Sequence, residues 1–461
     1  MAVLSLQAVA AATGGTVYSG DPHMEVNRYA IDSRAIQGGE LFFALVGERN
    51  DGHDYLGDVF AAGAAAAVVS RRESAPGPAV QVADTTRALR DLARWVRQDW
   101  GGTVIGITGS CGKTTTREML RLVLAASRPV LATRGNLNNL YGLPLMLLEL
   151  LPAHETAILE MGISTPGEMK PLADIAGPDV AVLLNVEAVH LVHFSSLDEI
   201  ATTKAAILDA LRPGGTFVFN ADDARVAALA GRHDGATMSF GLNAAADVTA
   251  EEVDDTRAES IRARIRAGHE SADLNLPVAG RHNLMNALAA LATARVVGVP
   301  LAAGAEALAD FTPPPMRGTR NRLAGGVTVW DESYNSNPAA LRAVLATLGR
   351  ARTRGRRVLV CGDMLELGSD EEEAHLDLAP DVAAAGVDLF IAVGPLSAGL
   401  ARRLEREHGM AVAACQDAGV AARRAVELVR DHDLVVIKGS RGMGTDKVTA
   451  ALVAARGGEK T

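Results

Sequence analysis

The stretch Val104-Ile105-Gly106-Ile107-Thr108-Gly109-Ser110-Cys111-Gly112-Lys113-Thr114-Thr115-Thr116 decides how the chain is read. Its first part is apolar and β-branched, a strand pattern, and the residues after it put Met119, Leu120, Val123 and Leu124 on one helical face. A glycine-rich turn between strand and helix is the setting of a phosphate-binding loop. Gly109 and Gly112 let main-chain N–H groups approach phosphate oxygens, with Ser110, Cys111 and Thr115 completing the turn. Lys113 supplies charge to the outer phosphates, Thr114 a hydroxyl to Mg²⁺, and the helix N-terminus a positive dipole. The spacing is G-x-x-G-K-T. The commoner G-x-x-x-x-G-K-[ST] would put glycine where Ile107 stands.

Outward from this loop, 461 residues suggest about three domains at roughly 150 residues each. With 48% hydrophobic and 22% charged residues the composition is that of a globular protein rich in helices packed on sheets. A formal charge of -10 argues against nucleic acid or anionic membrane as partners and leaves small molecules. Cys111, Cys361 and Cys415 are too few and too far apart for a disulfide framework or a zinc knuckle, which suits a reducing compartment. Cys111 reads as a small side chain between glycines. The first dozen residues lack a basic start and suit a short surface helix better than a signal peptide, and no apolar run reaches about 18 residues.

The fold expected is α/β in three domains. A small α/β module runs over 1–84. A central phosphate-loop, mononucleotide-binding domain over 85–313 has strands at 104–108, 155–161, 179–185 and 216–220 in a mainly parallel sheet. Pro313, Pro314 and Pro315 cannot continue a helix and form a stiff boundary. A Rossmann-like, doubly wound domain follows over 314–461, with strands at 327–331, 357–362, 389–394 and 433–438.

Polar residues cluster where these strands end. Glu160 closes an apolar strand and suits a Mg²⁺ ligand or a plain surface carboxylate. His190 follows Asn185 to the same rim, where a lone histidine is also ordinary structure. Lys204 lies in a helical run over 197–211, from which a lysine readily snorkels to solvent. Asn283 and Asn286, one turn apart at a helix start, either cap that helix or read a base edge. Asp331 to Pro338 crowds polar groups at a strand end, as a ligand rim does.

Taken in order, these segments resemble the Mur ligases, ATP-dependent amide-forming enzymes of peptidoglycan precursor synthesis, over nearly the whole chain. The shortened loop Thr108 to Thr116 and the segment Gly280-Arg281-His282-Asn283-Leu284-Met285-Asn286 carry the family likeness. Asn136-Leu137-Asn138-Asn139, Gly142 to Pro144, Tyr334-Asn335-Ser336-Asn337-Pro338, Gly362 to Gly368 and Lys438-Gly439-Ser440-Arg441 are similar to the branch acting on D-alanyl-D-alanine.

The resemblance implies that Lys113 meets phosphate and that Thr114 and Glu160 hold a first Mg²⁺. It implies that His190 and a carbamylated Lys204 serve a second. It gives Asn283, with Asn286, to adenine, Asp331 to ribose, and Arg317 to the nucleotide from the linker side, with Arg320 close by. Ser33, Arg34, Phe43, Gly47, Asp51, His53, Asn136, Asn138 and Asn139 fall to the UDP-substrate, although Phe43 and His53 equally suit a core. Tyr334, Asn335, Asn337, Lys438, Ser440 and Arg441 fall to the dipeptide side. Met316, Glu332 and Ser336 depart from the family pattern.

The activity implied is ligation of D-alanyl-D-alanine to UDP-N-acetylmuramoyl-tripeptide through an acyl phosphate, by a monomer in a bacterial cytoplasm using ATP and Mg²⁺. The alternatives are a sister ligase adding a single amino acid, to a muramoyl peptide or a folate, and a phosphate-loop ATPase that makes no amide.

Overall fold

Apolar β-branched runs alternating with alanine-rich helices build three large sheets in succession, beside a two-stranded antiparallel pair of Leu4–Ser5 with Glu25–Val26. The computed structural model describes residues 2–71, 75–189, 191–257 and 259–460. The first sheet has the order Thr16–Ser19, Ala79–Gln81, Ala66–Val69, Glu40–Phe43, Arg28–Ala30, with only the first pair antiparallel. Strand alternation sends Phe42, Ala67 and Val69 to one face and Leu41, Phe43 and Val68 to the other. The expected helix near the N-terminus is Leu6–Thr13, and its Leu6, Val9 and Ala10 are buried.

Helix Thr85–Trp100 connects this sheet to the next. Asp84 caps it, accepting from the N–H groups of Thr86 and Arg87, and Gly101 ends it in the left-handed conformation. Its buried Leu89, Leu92 and Val96 share one core with Leu41 and Phe43 on one side and Leu143, Leu147 and Leu172 on the other. The buried Arg97 closes the join. Its guanidinium donates to the carbonyls of Ala176 at 2.9 Å and Gly177 at 3.0 Å and to Asp179 Oδ2 at 2.7 Å.

The central sheet has nine strands. Val130–Ala132, Thr156–Glu160, Thr103–Thr108, Val180–Leu183, Thr216–Asn220 and Ala236–Phe240 lie parallel in that order, as the alternating pattern predicts. Val248–Asp254 joins the row and is extended by two antiparallel strands, Ile261–Ala267 and Glu270–Leu276. The sequence reading did not include this hairpin, although Ile261, Ala263, Ile265 and Ala267 are buried between exposed Arg262, Arg264 and Arg266. Helices Lys113–Ala125 and Arg281–Val296 pack on each other beside this sheet, the alanines of the second allowing close approach.

The third sheet has the order Ala411–Cys415, Leu389–Val393, Arg357–Gly362, Leu434–Lys438, Val327–Glu332, Thr319–Leu323, Gly458–Lys460, parallel over the first five strands. The last two are antiparallel additions. Leu434–Lys438 returns between two earlier strands, so Glu332, Lys438 and Gly362 end side by side at the point where the strand order reverses, the usual ligand edge of such sheets. No described helix is long and apolar enough to cross a membrane.

Replacing Arg97 by alanine takes from Asp179 its 2.7 Å partner, leaving the carboxylate the Val104 N–H at 2.8 Å and Arg212 at 3.7 Å, and removes the side-chain donor of two carbonyls. Urea unfolding of R97A is expected to show a loss of at least about 2 kcal/mol.

Candidate active site

Strand Thr103–Thr108 delivers the glycine turn and helix Lys113–Ala125 leaves it, with Gly112 as N-cap at φ 84°. A Cβ on Gly112 would stand 2.3 Å from Asn286 Oδ1, so both backbone conformation and the neighbouring helix demand glycine. Asn286 Oδ1 also accepts from the Thr116 hydroxyl at 3.3 Å. From the other side Asn185 pins the turn. Its Oδ1 accepts from the Cys111 N–H at 2.8 Å, and its Nδ2 donates to the Cys111 carbonyl at 3.1 Å. The Ser110 hydroxyl donates to the Glu187 carbonyl at 3.1 Å and accepts from the Glu187 N–H at 2.8 Å.

Lys113 folds over the turn, its Nζ donating to the carbonyls of Gly109 at 2.7 Å and Ser110 at 3.3 Å. Removal from water pushes its ammonium below the usual range, against the pull of Glu160. Glu160 sits beside the loop because its strand pairs in register with the loop's own strand, Glu160 opposite Ile107. Its carboxylate is buried and fully engaged. Oε2 accepts from the Thr114 hydroxyl at 2.9 Å and Arg117 Nη1 at 3.2 Å, and Oε1 accepts from Asn138 Nδ2 at 2.8 Å. The surface reading of Glu160 is therefore excluded. Arg117 escaped the sequence reading, and its signal was position: it falls one helical turn after Lys113, on the same face.

Lys204, in helix Leu197–Ala205, does not snorkel. It is 2% exposed, and burial first, then the Lys113 charge, push its amine well below the usual range. His190 lies outside the described residues. Asn138, expected on the UDP-substrate side, donates its amide to Glu160. Asn139 Oδ1 accepts from the Tyr141 and Gly142 N–H groups at the start of helix Gly142–Leu148, and the Asn136 carbonyl accepts from the Asn138 N–H at 2.8 Å.

The third sheet presents its strand ends to this loop. Asn337 caps helix Pro338–Arg350 and reaches across to Cys111, Nδ2 to Sγ at 3.2 Å, so this residue meets the phosphate turn. Lys438 Nζ donates to the Asn335 carbonyl at 3.0 Å, Ser440 Oγ accepts from the Leu365 N–H at 2.9 Å, and Arg441 stays exposed near Asp446 at 3.5 Å. The Arg317 guanidinium lies 3.7 Å from the centre of the Tyr334 ring. Arg320 lies over Trp330, and burial pushes it down to about 10. A cavity of about 10 Å³ between helix Arg281–Val296 and this sheet is lined by His282, Asn283, Arg320, Trp330, Glu332 and Thr347, so Arg320, not Arg317, shares it with Asn283. The Asn283 amide donates to the Ala279 carbonyl at 2.8 Å, and Asp331 accepts from the Ser333 N–H and hydroxyl.

On the first sheet Arg34 is exposed and forks onto Asp32 at 2.9 and 2.8 Å, holding that carboxyl down to about 2, with Ser33 opening the turn between them. Asp51 Oδ1 accepts from the His53 N–H at 2.9 Å and lies 2.7 Å from its Nδ1, while Nε2 accepts from the Ser70 N–H at 2.9 Å. Both ring nitrogens are thus spent on the turn. Phe43 is 0% exposed, so the core alternative holds for it and for His53. The Gly47 N–H donates to the Asn50 carbonyl at 2.9 Å.

Fold and loop together define a phosphate-loop α/β protein of three large sheets. The chain belongs to the Mur ligase family. It matches the Mur ligase family catalytic domain over residues 25–96, the Mur ligase middle domain over 107–294 and the Mur ligase glutamate ligase domain over 316–441. It is 34% identical to the UDP-N-acetylmuramoyl-tripeptide–D-alanyl-D-alanine ligase of Escherichia coli, covering 91% of this chain and 92% of that one. It is 32% identical to the Bacillus subtilis enzyme of the same name, covering 93% of each. Among solved structures, MurF from Acinetobacter baumannii superposes with a TM-score of 0.91 at 32% identity, over 98% of this chain and 99% of that one. MurF from Thermotoga maritima in complex with ADP superposes at 0.83 and 29% identity, over 93% and 98%.

Two outcomes follow from this geometry. Gly112→Ala is expected to weaken ADP binding at least about tenfold by calorimetry, because left-handed backbone alone costs roughly 1–2 kcal/mol before the Asn286 clash. Burial, then the charges of Lys438, Arg320 and Arg350, hold His282 down from 6.5 to about 4. The unfolded chain then binds the extra proton between those values, so this residue's contribution lowers stability as pH falls from about 6.5 to about 4. In His282→Gln the urea midpoint should fall less steeply across that window than in the parent.

Proposed function

We propose that the chain joins D-alanyl-D-alanine to UDP-N-acetylmuramoyl-tripeptide, converting ATP to ADP and phosphate and yielding the pentapeptide precursor of peptidoglycan. The observation that carries this reading is the phosphate loop, with Lys113 above it and the Thr114–Glu160 pair beneath it, faced by Asn337 from the third sheet. Relatives bearing that activity in their names align along nearly the full length. Residues 1–84 would hold the UDP-sugar through Ser33, Arg34 and Asp51. Residues 85–313 would hold ATP, and 314–461 the dipeptide, near Tyr334, Asn335, Lys438, Ser440 and Arg441.

The reaction has two displacements. A carboxylate oxygen of the tripeptide attacks the γ-phosphorus, the bond to the ADP oxygen breaks, and an acyl phosphate forms. The dipeptide amine then attacks the acyl carbon, phosphate leaves with the C–O electron pair, and the nitrogen loses a proton. No protein nucleophile is needed, so the demand is alignment of two anions and stabilisation of spreading negative charge. The Lys113 ammonium, already at the turn, meets the transferred phosphoryl group, and the Gly109 to Thr115 N–H groups orient the chain of phosphates.

A hydroxyl and one carboxylate 2.9 Å apart suit Mg²⁺, which takes oxygen donors and shares its shell with phosphate and water. Among the described residues no group of three or more His, Cys, Asp or Glu offers a cage for a different ion. Thr114 and Glu160 would hold this Mg²⁺, which supplies charge neutralisation at the β- and γ-phosphates. The Lys204 amine, whose ammonium form burial disfavours, would attack CO₂ as the free base, forming an N–C bond and releasing a proton. The resulting carbamate would serve a second Mg²⁺ with His190. Asn283 and Asp331 would contact adenine and ribose, with Arg317 or Arg320 reaching the nucleotide from the linker side.

Phosphate release is measured with ATP, Mg²⁺ and the two peptide substrates, separately and together, with mass analysis of the product. Release requiring both, with a pentapeptide product, is expected. Release without either, or with a single amino acid in place of the dipeptide, would overturn the reading. Lys204→Ala is expected to lower kcat about 10²-fold, and ¹³CO₂ should give a carbamate resonance in the parent that this variant lacks. A parent without that resonance, or an active variant, removes the carbamate from the scheme.

A further inference from the structure

The seam between the second and third sheets is pinned at two widely separated points. At one end of helix Pro338–Arg350, Asn337 touches Cys111 of the phosphate turn. At the other, Arg350 reaches Asp255, in the turn between strands Val248–Asp254 and Ile261–Ala267, with Nε 3.2 Å from Oδ2. The same Oδ2 accepts from Arg281 Nε at 2.8 Å. Arg281 begins the helix that carries Asn283 and Asn286, and the Asp255 side chain is only 9% exposed. Thirteen helical residues span about 20 Å, so the two pins fix an axis rather than a point. Arg322 pairs with Glu259 in the same turn and opposes rotation about that axis.

We propose that Asp255 is a positioning residue. By holding Arg350 of the third domain and Arg281 of the central helix on one oxygen, it sets the orientation in which Asn337 meets the phosphate turn. Without the carboxylate, two guanidinium groups face each other across the seam, and a contact that attracted becomes one that repels. The helix then pivots, and Asn337 lifts from Cys111 some 20 Å away. The antiparallel hairpin is thereby part of the machinery that seats the third domain. The catalytic consequence rests on the ligase reading above, because only a reaction needing both domains suffers when they misalign.

Cys111 reports the seating directly. It is partly exposed beneath Asn337, whereas Cys361 and Cys415 are buried. Arg350→Gln spares the Arg281–Asp255 pair and is the more conservative change, with Asp255→Asn beside it and thermal unfolding as a check that both fold. Iodoacetamide labelling of Cys111, followed by peptide mass analysis, is expected to run several-fold faster in both variants, with no further gain in the double variant. In the ligase assay kcat is expected to drop about tenfold with little change in KM for ATP, since misplacement far from the chemistry acts on alignment. Parental labelling rates in R350Q would overturn the proposal, as would faster labelling in D255N alone. If the parent makes no amide, the ligase reading fails, yet the labelling arm still decides the role of Asp255.

Discussion

The buried carboxylate of Glu160 is the constraint around which the nucleotide side of the molecule is arranged. A carboxylate taken out of water is several kcal/mol uphill unless its oxygens are occupied by donors or cations. Here Thr114, Arg117 and Asn138 occupy them, drawn from the loop helix and the segment before helix Gly142–Leu148. The Glu160 N–H is itself donated to Thr133 Oγ1 at 2.9 Å, so the residue is fixed from the backbone outward. That requirement brings a strand end, a helix start and a loop to one place, and it leaves the Thr114 hydroxyl and a carboxylate oxygen side by side, the kind of oxygen donors a hard cation prefers.

The same low-water setting bears on the two lysines. Lys113 keeps Glu160 as a counter-charge, whereas the second largest influence on Lys204 is the like charge of Lys113. One amine is thus supported as an ammonium and the other is pushed toward the free base. Burial lowers both amines, and the neighbouring charges then separate them, Glu160 raising the one and Lys113 lowering the other.

Much of this was legible in the sequence because it depends on local periodicity. The glycine turn between an apolar run and a helical face reads directly, and so does Glu160 at the end of its strand. What was not legible depends on tertiary pairing. Val248–Asp254 and its two antiparallel partners were missed although Ile261–Ala267 alternates cleanly, because the parallel rhythm before it set a different expectation. The bond from the Asn138 amide to Glu160 was not legible, because nothing local says which way that amide turns. Lys204 looked like a surface residue because alanine neighbours say nothing of what packs over a helix. Phe43 and His53 were open between core and ligand, and only the first sheet's packing and the Ser70 N–H decide for the core.

Besides the Lys113 ammonium, the phosphate turn is held by side-chain amides. Asn185 grips Cys111 through both its oxygen and its nitrogen, Asn286 stands against Gly112 and Thr116, and Asn337 arrives from the third sheet. An asparagine side chain offers a donor and an acceptor without net charge. It can therefore fix a loop that must receive a highly charged ligand without competing for that ligand's counter-charges. Carboxylates in these positions would repel phosphate, and arginines would bind it away from the reacting line. The amides come from three distant parts of the chain, so the turn is where the central sheet, its alanine-rich helix and the third sheet meet.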